Sequence, residues 1–179
     1  MIGQVREQLR AWCLHCSLVL AVSLGIVSLQ AQPVMASSHS PSYRSVAKQL
    51  LQVINADRAR LHVRPLVLNW RQSTCSQRHS AHMAVLGTIT HDQFPADICV
   101  SHVLAGENVG AEAAAPLTAV LDINASMMDE GPCPNKNCPG NEFADHGHYM
   151  NLVNPAYTRI GIGIVVTNGS VWLTENFTG

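Results

Sequence analysis

No segment of this chain is strongly basic, and several familiar catalytic motifs are missing from it. Its 11 lysines and arginines, spread over 179 residues, form no cluster, and the formal net charge is −1 at pH 7 with histidine neutral. Nucleic acids and anionic membrane surfaces recognise basic patches, so neither is expected as a partner. The sequence also contains no Gly-x-Ser-x-Gly elbow, no His-Glu-x-x-His helix and no phosphate-binding glycine loop. These absences exclude the commonest serine-hydrolase, zinc-protease and nucleotide-binding signatures.

The first 36 residues have the three parts of a secretory signal peptide. Arg6 and Arg10 supply a basic start, an apolar run follows from Trp12 to Val27, and Val34-Met35-Ala36 offers small residues for cleavage. We therefore assign residues 1–36 as a signal peptide and expect a secreted, extracellular protein with no stable membrane insertion after cleavage. A retained membrane anchor is the alternative interpretation of the apolar run.

Four cysteines follow that segment, and an even number in an exported chain predicts two disulfides. Of the three possible connectivities we favour Cys75–Cys99, which ties a helix to the loop after it, and Cys133–Cys138, which closes a tight loop. The alternative for Cys133 and Cys138 is a zinc site that also uses two histidines, His146 and His148. The nine histidines are the one compositional hint of metal or pH chemistry.

Hydrophobic spacing predicts helices in the first two thirds of the chain. Residues 37–45 are assigned as a linker in which Ser42 is a candidate helix N-cap. Helical spacing then covers Tyr43–Leu61, Trp70–Leu86 between Asn69 and Gly87, and a segment after Pro116. The segment Gly131–Asn141, rich in proline, glycine and asparagine, predicts a loop, and one or two helical turns follow at Tyr149–Leu152.

The C-terminal region has the pattern of a β-hairpin. Apolar residues alternate along Ile160–Thr167, Asn168-Gly169 predicts a type I′ turn, and Val171–Phe177 continues the alternation on the return. Helices first and a hairpin last, without βαβ alternation, predict an α+β layered domain.

Short blocks in a fixed order resemble the CAP superfamily, which includes cysteine-rich secretory proteins, venom allergens, plant pathogenesis-related proteins and bacterial SCP-like proteins. The blocks are Leu51–Arg58, Arg78–Ala84, Thr90-His91, Gly106–Val109, Gly147–Leu152 and the hairpin start Ile160–Gly163. The resemblance extends from Val46 to Phe177, and we assign residues 46–179 as a CAP (SCP-like) domain. It implies a three-layer α-β-α sandwich with a central antiparallel sheet.

The resemblance also implies a cleft that holds two histidines and two glutamates. Matched by position, these are His91, Glu107 in a Gly-Glu-Asn turn, Glu130 and His148. Compact bacterial relatives have a shorter segment before the second histidine, so the cysteine loop is an insertion beside the cleft. The insertion leaves two competitors for the place of Glu130, namely Glu142 and Asp145.

Two neutral imidazoles with nearby carboxylates suit zinc or another divalent cation, with His91 and His148 as the metal ligands. We expect a monomeric binding module for a small apolar ligand, lipid or sterol-like, or for a peptide. One alternative is a zinc-dependent hydrolase or peptidase with Glu107 or Glu130 as the candidate base. Another is a wall- or surface-interaction protein with a vestigial cleft. Core or helix-surface roles are expected for His79 and His82, and a solvated loop position for His146.

Overall fold

A computed structural model of the chain describes residues 42–135, 138 and 142–179. The assigned signal peptide lies outside these residues. Within them the elements are α1 Tyr43–Arg60, β1 Val67–Leu68, α2 Trp70–Leu86, β2 Ala105–Glu112, α3 Pro116–Asp129, α4 Glu142–Val153, β3 Arg159–Thr167 and β4 Ser170–Thr178. None of the helices in this described part is long and apolar enough to cross a membrane.

The four strands form one sheet in the order β1-β3-β4-β2. The hairpin of β3 and β4 is antiparallel, and β2 pairs antiparallel with the other edge of β4. β1, by contrast, runs parallel to β3. The antiparallel sheet expected from the resemblance is thus present in β3, β4 and β2, and the two-residue edge strand β1 makes the whole sheet mixed. No hairpin turn links β1 to β3, and the chain leaves β1 at Asn69 to begin α2, so turn geometry does not impose the antiparallel direction.

Helices cover both faces of the sheet. On one face, Ile160, Ile162 and Ile164 of β3 and Leu173 and Phe177 of β4 join the core formed with α1, α3 and α4, to which Leu50, Val120 and Leu152 contribute. On the other face α2 lies against β3, where Gly161 and Gly163 alternate with these isoleucines. The α+β three-layer architecture expected from the sequence is therefore present.

The contact between α2 and β3 is a contact between backbones. A Cβ atom on Gly161 would lie 2.7 Å from the carbonyl carbon of Gln72, and one on Gly163 would lie 2.2 Å from that of Ser76. Real Cβ atoms do not approach other atoms this closely, so both positions require glycine to keep the helix where it is.

Polar side chains of the helices take the place of a further strand along β3. β1 pairs only with Arg159 and Ile160. Beyond that point the Ile162 N–H donates to Ser73 Oγ at 3.0 Å, the Ile164 N–H donates to Gln77 Oε1 at 2.9 Å, and Gln77 Nε2 donates to the Ile164 carbonyl at 2.6 Å. These bonds satisfy edge groups that would otherwise be exposed or unpaired.

Arg58 joins α1 to the segment between α4 and β3. Its fully buried guanidinium donates to four backbone carbonyls, those of Arg64 at 2.8 Å, Leu152 at 2.6 Å, Asn154 at 3.1 Å and Tyr157 at 3.2 Å. A buried cation needs such partners, and the rigid fork of guanidinium donors can reach several carbonyls at once.

Most boundaries predicted from capping residues are confirmed. Asn69 caps α2 by accepting from the N–H groups of Arg71 and Gln72, and Gly87 ends the helix with φ +70°. Asn168 and Gly169 both have positive φ, as a type I′ turn requires. α1 begins at Tyr43, so the last three residues of the assigned linker, 43–45, are helical.

Two local expectations were wrong. The Gly-Glu-Asn block lies inside strand β2 rather than in a turn, and Gly147 lies inside α4, which runs for 12 residues instead of one or two turns. Glycine at position 106 lets the side chain of Asn151 lie close to the strand, because a Cβ there would be 2.7 Å from Asn151 Oδ1. β2 consists mainly of small residues and α4 mixes polar with apolar residues, so hydrophobic periodicity was too weak to show either element.

Replacing Gly163 by alanine should strongly destabilise the domain. The added methyl meets the backbone of α2, which must move away from the sheet, and we expect a loss of about 3 kcal/mol or more in the free energy of unfolding. Val166→Ala, on the same strand but 54% exposed, is the control and should cost less than about 1 kcal/mol. Urea denaturation measures both, and equal losses would contradict the backbone-contact interpretation.

Candidate functional site

Glu107 is the central residue of a buried polar cluster on the α2 face of the sheet. It lies on β2 opposite Asn176 of β4, and its side chain is 1% exposed. One oxygen, Oε2, is 2.7 Å from His79 Nδ1, and the other, Oε1, is 2.8 Å from His91 Nδ1. A single carboxylate thus holds two imidazole rings.

The inward face of α2 brings His79 to this carboxylate. That face is polar and small where it meets the glycines of β3, and it carries Gln72, Ser76, His79 and Ser80, all fully buried. Ser80 Oγ donates to Thr174 Oγ1 of β4 at 2.9 Å. The helix touches the sheet backbone at Ser76. The imidazole of His79, one turn further along α2, therefore reaches Glu107 on β2.

The loop after α2 runs back along the helix and delivers His91 and Asp97. Gln72 Nε2 donates to the Asp97 carbonyl at 3.0 Å, and the Cys99 N–H donates to Gln72 Oε1 at 2.9 Å. The Cys75–Cys99 disulfide fastens the same loop to the helix. Asp97 Oδ2 then lies 3.3 Å from His79 Nδ1 and accepts from Asn176 Nδ2 at 2.6 Å.

His79, Asp97 and Glu107 form a group able to hold a metal ion, because one ligand atom from each lies within 4.8 Å of the others. This is the one such group of three or more among residues 42–135, 138 and 142–179. All three side chains are buried.

Burial raises the pKa of Glu107, and the hydrogen bond from His91 acts in the opposite direction. The hydrogen bond to Glu107 raises the pKa of His91, opposed by its partial burial.

Glu130 and His148 form a second carboxylate–imidazole pair between α3 and α4. Glu130 Oε1 contacts His148 Nδ1, and Oε2 accepts from the backbone N–H groups of His148 at 3.0 Å and Tyr149 at 3.2 Å. Glu130, the residue matched by the family resemblance, is therefore in contact with His148. Asp145 is exposed, and the side chain of Glu142 is outside the described residues.

His91 and His148 line the same cavity. Its volume is about 330 Å³, and Glu107, Phe143 and Asn151 also line it. A neighbouring cavity of about 390 Å³ shares His91, Glu107, Phe143 and Asn151, and its further walls are largely apolar: Phe94, Met150 and Tyr157. Three of the four residues implied by the family resemblance, His91, Glu107 and His148, thus line this cleft, and Glu130 is joined to it through its contact with His148. The four residues form two separate pairs, His91 with Glu107 and His148 with Glu130.

Other histidines have roles that the sequence did not reveal. His146 lies in α4 and is half-buried, with Nδ1 2.7 Å from the Glu130 carbonyl and 3.1 Å from that of Gly131. The expectation of a solvated loop residue was therefore wrong, because the long α4 begins before His146.

Cys133 and Cys138 are joined as a disulfide, so the alternative zinc site with His146 and His148 is not formed.

Sequence reasoning missed His79 and Asp97 as members of the cluster. A signal for His79 was present: the serines and Gln72 recur with it on one side of α2, so its buried face is polar rather than apolar. No comparable signal marks Asp97, because its position depends on how the loop after α2 folds back.

A polar network also occupies the opposite face of the sheet. Glu175 of β4 is fully buried and accepts from Asn108 Nδ2 at 3.3 Å, while Asn108 Oδ1 accepts from Asn151 Nδ2 at 2.9 Å. Asn108 Nδ2 also donates to the His148 carbonyl at 3.2 Å. Burial raises the pKa of Glu175 to about 7, outweighing the hydrogen bond from Asn108. The network connects the sheet to the α4 turn that carries His148.

Comparison with known proteins agrees with the fold and with the order of the blocks. The chain matches the model of the Cysteine-rich secretory protein family, CAP, over residues 51–177, and it belongs to that family. The uncharacterized protein YkwD of Bacillus subtilis (strain 168) is 27% identical over 151 residues, which are 80% of this chain and 51% of that protein. The chain therefore spans about half the length of this relative.

Solved structures share the fold at low sequence identity. An extracellular protein containing a SCP domain from Bacillus anthracis str. Ames superposes with a TM-score of 0.54 at 22% identity, over 73% of this chain and 39% of that chain. NaASP2, in a structure with Zn²⁺, gives a TM-score of 0.60 at 12% identity, over 78% of this chain and 82% of that chain. The two disulfides fit an extracellular protein.

The two disulfides should contribute unequally to stability. They span 24 and 5 positions, and the chain-entropy model gives about 3.5 kcal/mol for the longer loop and about 2 kcal/mol for the shorter one. Cys75→Ala/Cys99→Ala should therefore lower the free energy of unfolding more than Cys133→Ala/Cys138→Ala. Urea denaturation of both double variants tests this, and a larger loss from the Cys133/Cys138 pair would contradict it.

Glu175 should make the domain less stable as the pH rises from about 4.5 to about 7. In the unfolded chain this carboxyl loses its proton near pH 4.5, whereas the folded chain retains it until about pH 7. The folded state therefore binds more protons across that range, and the accumulated cost is about 3 kcal/mol. Glu175→Gln cannot ionise, so its advantage over the wild type should grow between pH 4.5 and pH 8.

The measurement is urea denaturation at several pH values, taken as the difference between variant and wild type. Glu112→Gln, an exposed carboxylate on β2, is the matched control and should show no comparable pH-dependent difference. Parallel stability profiles for Glu175→Gln and the wild type would show that Glu175 ionises normally in the folded protein.

Proposed function

We propose that this chain is an extracellular binding module of the CAP family whose cleft holds a divalent cation and a small apolar or peptide ligand. The observation that carries the proposal is the pairing of two cleft histidines with two glutamates. His91 and His148 each engage a glutamate through Nδ1, which leaves Nε2 of each ring as the nitrogen able to bind a metal. Both rings line one cavity.

A carboxylate on one imidazole nitrogen and a metal on the other is a common arrangement at zinc sites. The carboxylate sets the tautomer and the orientation of the ring and increases its basicity. Glu107 and Glu130 would have this orienting role, with His91 and His148 as ligands and water completing the coordination. Zinc suits two imidazoles with oxygen ligands, and the structure of NaASP2 with Zn²⁺ supports zinc as the first ion to test.

The buried group of His79, Asp97 and Glu107 is a second place for the same ion. Its atoms are already at hydrogen-bond distances, 2.7 Å and 3.3 Å from His79 Nδ1, so a metal there must displace those bonds. The pair of His91 and His148 requires no such loss, and we therefore favour it.

The apolar cavity beside the histidines is suited to the ligand. Its volume of about 390 Å³ and its walls of Phe94, Phe143, Met150 and Tyr157 fall within the usual range for small-ligand pockets, which combine apolar walls with a few polar groups. The polar side chains here include Glu107, His91, Asn151 and Asn154. A short acyl chain, a ring or an apolar peptide side chain fits this description.

Binding is favoured over hydrolysis because the candidate bases are already engaged. Both oxygens of Glu107 contact imidazole nitrogens, and both oxygens of Glu130 contact His148 or its backbone. A general base must be free to accept a proton from water. A zinc-dependent hydrolase remains the second candidate, favoured by the burial that raises the pKa of Glu107.

Zinc binding by the disulfide-bonded chain tests the cation part of the proposal. In calorimetry, His91→Ala and His148→Ala should each remove one bound zinc per chain, because a metal held by two imidazoles rarely survives the loss of one. Glu107→Gln should weaken that binding by about 10–100-fold, as the loss of a carboxylate that orients a ligand does. His102→Ala, an exposed histidine bonded only to its own loop, is the control.

Asp97→Asn separates the two candidate sites for the ion. If the cleft histidines bind zinc, this substitution should leave the cleft stoichiometry unchanged. If Asp97→Asn removes the zinc and His91→Ala does not, the buried group is the metal centre. Equal zinc stoichiometry in the wild type and in the His91/His148 double variant would reduce the two pairs to structural hydrogen bonds.

A further inference from the structure

His79 has a second ring nitrogen that the cleft does not use. The residue is fully buried, and its Nδ1 is taken by Glu107 and Asp97. Nε2 is also buried and has no hydrogen-bond partner among the described residues. It lies 3.8 Å from Asp92 Oδ1, which is too long for a hydrogen bond.

His82 faces the same carboxylate from the next turn of α2. The two histidines are three positions apart, so they lie on one side of the helix, with ring centroids 6.4 Å apart. His82 Nε2 is 2.9 Å from Asp92 Oδ2. The Asp92 backbone N–H donates to Thr90 Oγ1 at 3.1 Å, which fixes the turn that presents the carboxylate.

The hydrogen bonds on Nδ1 determine what Nε2 can offer. Two carboxylates accept at Nδ1, so the ring proton is held there, and Nε2 of the neutral ring presents a lone pair. A lone pair directed at a carboxylate oxygen is unfavourable unless a positive charge lies between them. Either a second proton or a metal ion can supply that charge.

We propose that His79 Nε2, His82 Nε2 and Asp92 form a second binding site for a divalent transition-metal ion, separate from the site of His91 and His148. Two imidazole nitrogens and one carboxylate are a ligand set that Zn²⁺, Co²⁺ and Ni²⁺ accept. Glu107 and Asp97 hold the opposite nitrogen of His79, as carboxylates commonly do behind metal-bound histidines.

The ligand atoms of His79, His82 and Asp92 do not all lie within 4.8 Å of one another, unlike those of His79, Asp97 and Glu107, so the side chains must rearrange on binding. Ligand atoms about 2.0–2.2 Å from one zinc ion lie roughly 3–3.5 Å from each other. The contact of His82 with Asp92 is already close to this, whereas the separation of His79 Nε2 from Asp92 must shorten and the His82 ring must turn toward His79. The side chains of His82 and Asp92 are 32% and 48% exposed, so they can move while His79 stays in the core.

Zinc titration in a background without the cleft histidines tests this site. In disulfide-bonded His91→Gln/His148→Gln protein, we expect calorimetry to show one remaining zinc per chain. Adding His82→Gln or Asp92→Asn should weaken that binding at least 10-fold, whereas adding His102→Gln should not change it. With Co²⁺ in place of zinc, the background protein should show absorption in the visible range. Adding His82→Gln or Asp92→Asn should remove that absorption, and adding His102→Gln should not.

Three outcomes would overturn the proposal. A background protein that binds no zinc would mean that His79, His82 and Asp92 form only a polar side-chain cluster. Binding that survives His82→Gln and Asp92→Asn but is lost with Asp97→Asn would place the ion in the group of His79, Asp97 and Glu107. If the background protein does not fold, the zinc content of the wild type is compared with that of His82→Gln/Asp92→Asn, and equal content counts against the site.

Discussion

The backbone contact between α2 and β3 is the constraint on which the rest of the site depends. Gly161 and Gly163 remove the side chains that would separate helix from sheet. At this distance a large apolar layer does not fit, so the helix meets the sheet with serine, glutamine and histidine. Some of these side chains bind the open edge of β3, and His79 reaches the carboxylate of Glu107 on β2. Close packing and the polar character of the site therefore have the same cause.

Glu107 connects this packing to the candidate site. Its two oxygens orient two rings, one from α2 and one from the loop after it, and burial makes its negative charge costly. The cost is offset by partners that are themselves held in place: Asp97 by Gln72 and Asn176, and the loop by the Cys75–Cys99 disulfide. A site of this kind is rigid before any ligand arrives, which reduces the entropy lost on binding.

The sheet carries polar groups on both of its faces at the same place along β2. Glu107 faces α2, and the adjacent Asn108 faces α4, where it meets Glu175, Asn151 and the His148 carbonyl. The two histidines that line the cleft are thus supported from opposite faces, His91 through Glu107 and His148 in part through Asn108. Consecutive residues of one strand can do this because side chains alternate between the faces.

Signals local in sequence were sufficient for the elements with caps or strict alternation. Asn69 and Gly87 bound α2, and Asn168-Gly169 with its flanking alternation defines the β3–β4 hairpin. β2 and the full length of α4 were not predicted, because β2 is mainly small residues, α4 mixes polar and apolar residues, and the burial of both comes from neighbours far away in the chain. The parallel pairing of β1 with β3 was not predicted either, because a strand of two residues, Val67–Leu68, carries no information about the direction of its partner strand.

The amino-acid sequence by itself determined the helices, the hairpin, the family resemblance and the residues from which a cleft can be built: His91, Glu107, Glu130 and His148. Only the tertiary structure decided how they pair and that His79 and Asp97 join Glu107. The physical reason is that hydrogen-bond partners here are 16 to 28 positions apart. Their distances are set by a helix lying on two glycines and by a loop folded back along it, and neither can be read from neighbouring residues.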